Sequence, residues 1–249
     1  MSEASEHIAK FNAVIGDCEL LACMARDSEL QRGACSRLRT LLATLVDLKR
    51  SAVVDAGDEN EANLLLGFEC VAVSLHSELQ MWLLLKEERP DEAWDALIEA
   101  QNAATSAARV HRGFSHVGHR RTRLETIEKL VFPRQVFLSA GWIVGRQECS
   151  ICGGEYGTCA HLDGKPYMGT LCSIVAKDCR GNHVAIVKHP ADKKCRIVSF
   201  KVEGGTRNRM TWRVEPTKGG HLEDADSSAE AAGLSERLMC KAIIATAIR

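Results

Sequence analysis

The sequence predicts an α+β protein in which an N-terminal helical bundle is followed by a small antiparallel β module and a C-terminal helix. Three observations carry this expectation. From about Glu6 to Leu130 proline is almost absent and apolar residues recur at spacings of three and four, as amphipathic helices require. Near Phe132-Pro133 the pattern changes to short β-branched runs, and most of the glycines follow. Ser227 and Glu230 then form a capping box ahead of an apolar stripe through Leu234, Leu238 and Ile243.

Each element has its own signal. Ser28 with Gln31 reads as a capping box opening a helix near Leu30, and Asp58 with Glu61 reads as a second before Leu64. Between them, Asp55-Ala-Gly-Asp58 has the character of a turn, so a helical hairpin is expected. Pro90, followed by Asp91 and Glu92, sits where a first helical turn tolerates proline and favours acids, which starts a helix through Trp94, Leu97 and Ala107. Beyond the boundary, residues 135–144, 184–187, 196–202 and 210–214 are strand candidates of one small antiparallel sheet. The expected division is a helical bundle over 1–132, a β module over 133–220, and a polar linker with the last helix over 221–249.

Composition excludes several classes. An apolar content of 45% over 249 residues supports a proper core. Lysine plus arginine (32) nearly cancels aspartate plus glutamate (33), so no whole-molecule field draws the chain to nucleic acid or an anionic membrane, and any basic surface is local. The start is polar and acidic, unlike a secretory signal, and apolar runs such as Trp82 to Leu85 are broken by charge well before the roughly 20 residues of a membrane span. Eleven cysteines, an odd number, fit a reducing compartment better than a disulfide framework. The expectation is a cytoplasmic protein with no membrane partner.

Cys18, Cys23, Cys35, Cys70 and Cys240 fall within helical patterns as small apolar residues. The other six lie between Cys149 and Cys195, and they include Cys149-x2-Cys152, six residues, then Cys159-x-His161. A Cys-x2-Cys turn brings two thiolates toward one centre, Gly153 and Gly154 let the backbone fold back, and Cys159 and His161 can project from the same side of an extended segment. Four soft or borderline ligands suit tetrahedral Zn2+ and leave no position open for water, so the site is expected to be structural and to stabilise the β module. Cys172 is an alternative to His161 as fourth ligand if the turn at Leu162-Asp-Gly-Lys-Pro166 returns the chain to the metal. Cys179 and Cys195 are weaker candidates.

Residues 109–123 concentrate positive charge, with Arg112, Arg120, Arg121 and Arg123 as candidate nucleic-acid contacts. Arg207 and Arg209, together with Lys193, Lys194, Arg196 and Arg213, add basic groups near Phe200 and Trp212, which offer a stacking surface. Charge reversal at Arg120, Arg121 and Arg123 is expected to weaken nucleic-acid binding and leave the fold intact.

Arg112 and His119, separated by six residues, resemble the Arg-x4–6-His motif of HEPN ribonucleases, which are helical proteins. The resemblance covers this short segment and implies a metal-independent RNA-cleaving activity of those two residues. Gly113 and Gly118 interrupt the helix that should carry them. Residues His183 to Asp192 resemble the sheet-ending Val-x-x-Pro-Ala segment of phage prohead proteases, without a serine and histidine arrangement to accompany it, and are read as a strand followed by a turn. No phosphate loop, metalloprotease helix or nucleophile elbow is present.

The leading expectation is a zinc-binding module that acts on nucleic acid or as a regulatory interaction module. The alternatives are the HEPN-like ribonuclease and a protein-protein adaptor without nucleic-acid binding. Oligomeric state is left open.

Overall fold

The computed structural model describes residues 3–216. The last helix expected through Leu234, Leu238 and Ile243 lies outside the described residues. The chain forms two compact units: one comprises the chain up to Phe132 together with Gly164–Leu171, and the other runs from Pro133 to Asp163 and from Cys172 onward. The secondary structure is α+β, with long helices in the first unit and short antiparallel pairs in the second.

The helical unit contains α1 (Glu3–Glu19), α2 (Ser28–Ser51), α3 (Glu59–Lys86), α4 (Pro90–Val110) and α5 (Gly118–Val131). The N-cap of α2 is Asp27, one residue before the expected Ser28; its carboxylate accepts from Glu29 N (2.8 Å) and Leu30 N (3.1 Å). Gln31 therefore has no capping role. It is buried, donates to the carbonyls of Leu21 (2.8 Å) and Cys23 (2.9 Å), and accepts from Lys86 Nζ (2.7 Å), fastening the loop before α2 to the end of α3. Asp58 does cap α3, accepting from Glu61 N at 3.0 Å. The turn expected at Asp55 to Asp58 is a π-helical turn over Ala52–Ala56 that ends at Gly57. Pro90 opens α4 as expected.

α3 is the axis of this unit. It is buried on most of its circumference, with Leu75, Leu79 and Met81 fully enclosed, as befits a helix packed by others on several sides. α4 supplies Trp94, Leu97 and Ile98 to the same core, and Trp94 meets Phe132 edge to face at 5.4 Å. At the other end Phe11, Phe68 and Phe114 form a chain of rings, 4.4 Å and 5.1 Å between centroids. Gly67 makes that chain fit: a Cβ there would lie 2.1 Å from the Phe114 ring. The two-stranded hairpin β3 (Pro166–Tyr167) and β4 (Thr170–Leu171) belongs to this unit, with Gly169 N donating to Asn63 Oδ1 (2.9 Å) and Leu171 packing on Leu66 and Val110.

The second unit is not the single sheet that the strand candidates suggested. Among the described residues it holds three separate antiparallel arrangements: β1 (Phe137–Ile143) with β6 (Arg180–Val187), β2 (Arg146–Cys149) with β5 (Ile174–Lys177), and β7 (Ser199–Val202) with β8 (Gly205–Asn208) and β9 (Val214–Pro216). Residues 184–187 fall inside β6, so the His183 to Asp192 segment is a strand followed by a non-strand stretch, as read. Of residues 210–214, expected as a strand, only Val214 lies in one, as the first residue of β9. Asn208 Oδ1 accepts from Met210 N (2.7 Å) and Thr211 N (3.0 Å), and this Asx-type turn bends the chain between β8 and β9. Apolar alternation at Met210, Trp212 and Val214 imitated a strand; the side-chain competition of Asn208 for backbone donors decided otherwise.

Candidate metal centre

Cys149 is the last residue of β2 and pairs with Ile174 of β5. From there the chain makes a tight knuckle. Gly153 N donates to Cys149 O (2.9 Å), Cys149 N donates to Gly154 O (2.8 Å), and Ile151 N points at the Cys149 sulfur (3.4 Å). Gly153 has φ +72°, a conformation that a side chain at this position would make costly. The chain then runs back along β2, with Glu155 bridged to Glu148 and Tyr156 N donating to Gln147 O (2.9 Å). A turn at Thr158, whose hydroxyl donates to Glu155 O (2.8 Å), reverses it again and delivers Cys159 and His161. Asp163 N donates to the Tyr156 hydroxyl (3.0 Å) and closes the loop.

The outcome is a cluster in which one ligand atom from each of Cys149, Cys152, Cys159 and His161 lies within 4.8 Å of all the others. These four residues, expected from their spacing, are brought together and could hold a metal ion. The donor chemistry fits a thiophilic divalent ion: three sulfurs and an imidazole, with no carboxylate in the group. Burial pushes the Cys149 thiol up, but the backbone N–H groups of Cys152 and Ile151, with the thiols of Cys152 and Cys172, donate to its sulfur and bring it down to about 6. Cys172 is buried and stands 3.8 Å from Cys149, sulfur to sulfur, outside the four-residue group. Burial and its hydrogen bond to Cys149 push its thiol up to about 11. Cys179 and Cys195 are not members of the group.

The basic residues are placed differently. Arg112 is exposed at the start of a 3-10 turn over Arg112–Val117, and Arg121 is exposed on α5, paired with Glu125 at 2.9 Å. Arg120 turns inward, and the partly exposed Arg123 reaches the same buried carboxylate. Arg120 donates to Glu78 Oε2 (2.6 Å), Ser74 Oγ (2.9 Å) and Glu19 Oε1 (2.9 Å), and Arg123 pairs with the other oxygen of Glu78. The expectation that reversing Arg120 and Arg123 leaves the fold intact is therefore corrected: a carboxylate at either position would face the buried Glu78.

In the second unit Arg207 lies on β8 opposite Phe200 of β7. Its guanidinium sits 5.5 Å from the centre of the Trp212 ring, and Phe200 meets that ring edge to face at 6.1 Å. Trp212 itself is 57% exposed and has φ +56°. Arg209 N donates to Val198 O (2.9 Å), and its side chain is half-buried. The spacing of residues signalled the basic character of this region; the turn that presents Trp212 followed from Asn208 and had no recognised signal.

Arg112 and His119 do not share one helix. Arg112 opens the 3-10 turn and His119 falls in the first turn of α5, which begins at Gly118. No helix among the described residues is long and apolar enough to cross a membrane. The chain matches no protein-family model, and neither the curated proteins nor the solved structures contain a match.

Proposed function

We propose that this protein is an intracellular zinc-binding module that engages single-stranded nucleic acid, with the zinc in a structural role. Support for the metal comes from the four-donor cluster, whose all-protein ligand set suits zinc and leaves no site for a reacting water. Thiolate ligation of this kind persists in a reducing compartment.

The observation that carries the nucleic-acid reading is the exposed Trp212 ring, backed by Phe200 and covered from one side by Arg207. An aromatic face with an adjacent guanidinium accepts a stacked base and a phosphate regardless of sequence. Lys201 is exposed on β7 of the same three-stranded sheet and adds positive charge, and Arg209 and the exposed Arg213 stand in the turn between β8 and β9. Arg112 and Arg121 are the remaining candidate contacts, both in the helical unit.

Two measurements test this. Metal analysis of the purified protein is expected to find one equivalent of zinc, removable by chelation with loss of ordered structure in the second unit. Fluorescence anisotropy with labelled single-stranded RNA and DNA at several salt concentrations is expected to show salt-sensitive binding. Absence of binding even at low salt would refute the nucleic-acid reading. It would favour a protein-protein adaptor, which has its own support in the outward apolar side chains of β6, Val184 at 58% and Ile186 at 72% exposure.

A further inference from the structure

We propose that Cys172 is a fifth donor of the metal centre, exchanging with His161, so that one thiophilic divalent ion is held by three thiolates and an imidazole or by four thiolates. This rests on the metal-binding reading above and extends it to a second ligand set.

The separation of the two buried sulfurs is the first argument. Cys172 Sγ stands 3.8 Å from Cys149 Sγ. A disulfide requires about 2.05 Å. Two sulfurs each about 2.3 Å from one tetrahedral zinc stand about 3.8 Å apart. The observed spacing is thus that of two ligands of the same ion.

The backbone holds Cys172 at that place. Ser150 N donates to Ser173 O (3.0 Å), and Ser173 N donates to Ser150 Oγ (2.8 Å), so the residue after each cysteine is stapled to the residue after the other. Cys149 and Cys172 are also the two most deeply buried members of the donor collection, at 1% and 2% exposure. A buried sulfur in contact with another buried sulfur, with little water to compete, is a poised ligand.

Cys172 thus stands beside a group of four donors, its sulfur in contact with that of one member, at a centre that takes four ligands. Cys149 and Cys152 are fixed by the knuckle, and Cys159 follows within the same doubly reversed segment. His161 lies beyond that turn, last of the four along the chain, which makes it the ligand that exchanges. In the exchange the metal–nitrogen bond to His161 breaks and a metal–sulfur bond to Cys172 forms, while the Cys172 thiol proton passes to the released imidazole. No oxidant or reductant is involved.

The test uses the full-length chain loaded with cobalt, whose thiolate charge-transfer absorption grows with the number of bound sulfurs, and zinc affinity from chelator competition. His161→Ala is expected to bind one equivalent with charge-transfer absorption at or above that of the unaltered protein. Cys172→Ser is expected to bind one equivalent as well, and the double variant to lose affinity by more than about a hundredfold against either single one, beyond what a change outside the ligand shell costs. Helical circular dichroism confirms that each variant is folded. A double variant no weaker than His161→Ala, with that single variant lacking the absorption of a fourth sulfur, overturns the exchange while leaving metal binding in place. Failure of the unaltered protein to bind metal instead removes the reading on which the exchange rests.

Discussion

Arg120 of α5 and Glu78 of α3 form a buried ion pair, Nη2 to Oε2 at 2.6 Å, with Glu78 at 0% and Arg120 at 9% side-chain exposure. Arg123 occupies the other carboxylate oxygen, and Ser74 and Glu19 take further donors of Arg120. All three nitrogens of Arg120 and both oxygens of Glu78 are hydrogen-bonded, which is the condition under which burying two charges is tolerable.

Removing one partner of this pair leaves the other charge uncompensated. Glu78→Ala is expected to destabilise the helical unit by about 3–5 kcal/mol. The Glu78→Ala, Arg120→Ala double variant should lose much less than the sum of its single changes. Urea denaturation followed by circular dichroism measures both; additive losses would show that the pair is not coupled.

The ion pair also redirects the charge-reversal experiment. Arg121→Glu and Arg112→Glu are expected to keep the unfolding midpoint close to that of the unaltered protein, because both residues are exposed. If the 3-10 turn and α5 contact nucleic acid, each should reduce the slope of log affinity against log salt by about 0.7, the value for one single-strand phosphate contact. Slopes unchanged in both variants would remove the 3-10 turn and α5 from the interface.

Trp212→Ala is expected to weaken single-strand binding by about 1–3 kcal/mol, the range for loss of one stacked base, with the salt slope retained. Arg207→Ala should weaken binding and lower the slope as well. Anisotropy titrations separate the two effects, and equal affinity in Trp212→Ala and the unaltered protein would exclude stacking on this ring.

His76 faces a groove of the helical unit also lined by Arg39, Glu92, Asp95 and Glu99. Burial, and then the positive Arg39, hold its imidazole below the usual value of 6.5. The unfolded chain therefore binds the His76 proton more readily than the folded one. Stability from this residue is complete above about pH 6.5 and falls as pH drops through 6.5 toward the depressed folded value. His76→Gln is expected to flatten the stability profile between about pH 7 and pH 5. A slope identical to that of the unaltered protein would assign the acid sensitivity elsewhere.

Gly67→Ala tests the packing of α3 against Phe114. The added methyl would stand 2.1 Å from that ring, so the ring or the helix must move. A loss of about 1–3 kcal/mol, or more, is expected from thermal unfolding, whereas a neutral outcome would show that Phe114 relocates freely.

Local chemistry explains which parts of the structure were legible in the sequence. Asp58, Pro90 and the change at Phe132-Pro133 act within a few residues of themselves, and the helical half followed from them. The metal cluster was legible for the same reason: Cys149 to His161 spans one doubly reversed segment whose turns are written in glycine and threonine. What escaped was set by distant partners or by competition. Gln31 is claimed by Leu21, Cys23 and Lys86, which left the cap to Asp27. Glu78 reads as one polar position on an apolar helix until Arg120 and Arg123 arrive from residues more than forty positions later. Asn208 diverted Met210 to Arg213 from a strand into a turn.

That turn has a consequence for how the molecule balances durability against recognition. Trp212 occupies a left-handed backbone conformation that costs a β-carbon-bearing residue about 1–2 kcal/mol and glycine almost nothing. A glycine there would make a more comfortable loop and a sturdier sheet, but it would present nothing to solvent. On the nucleic-acid reading proposed above, the strain held at φ +56° is the counterpart of an indole face turned to solvent, and Trp212→Gly would trade that face for a relaxed backbone.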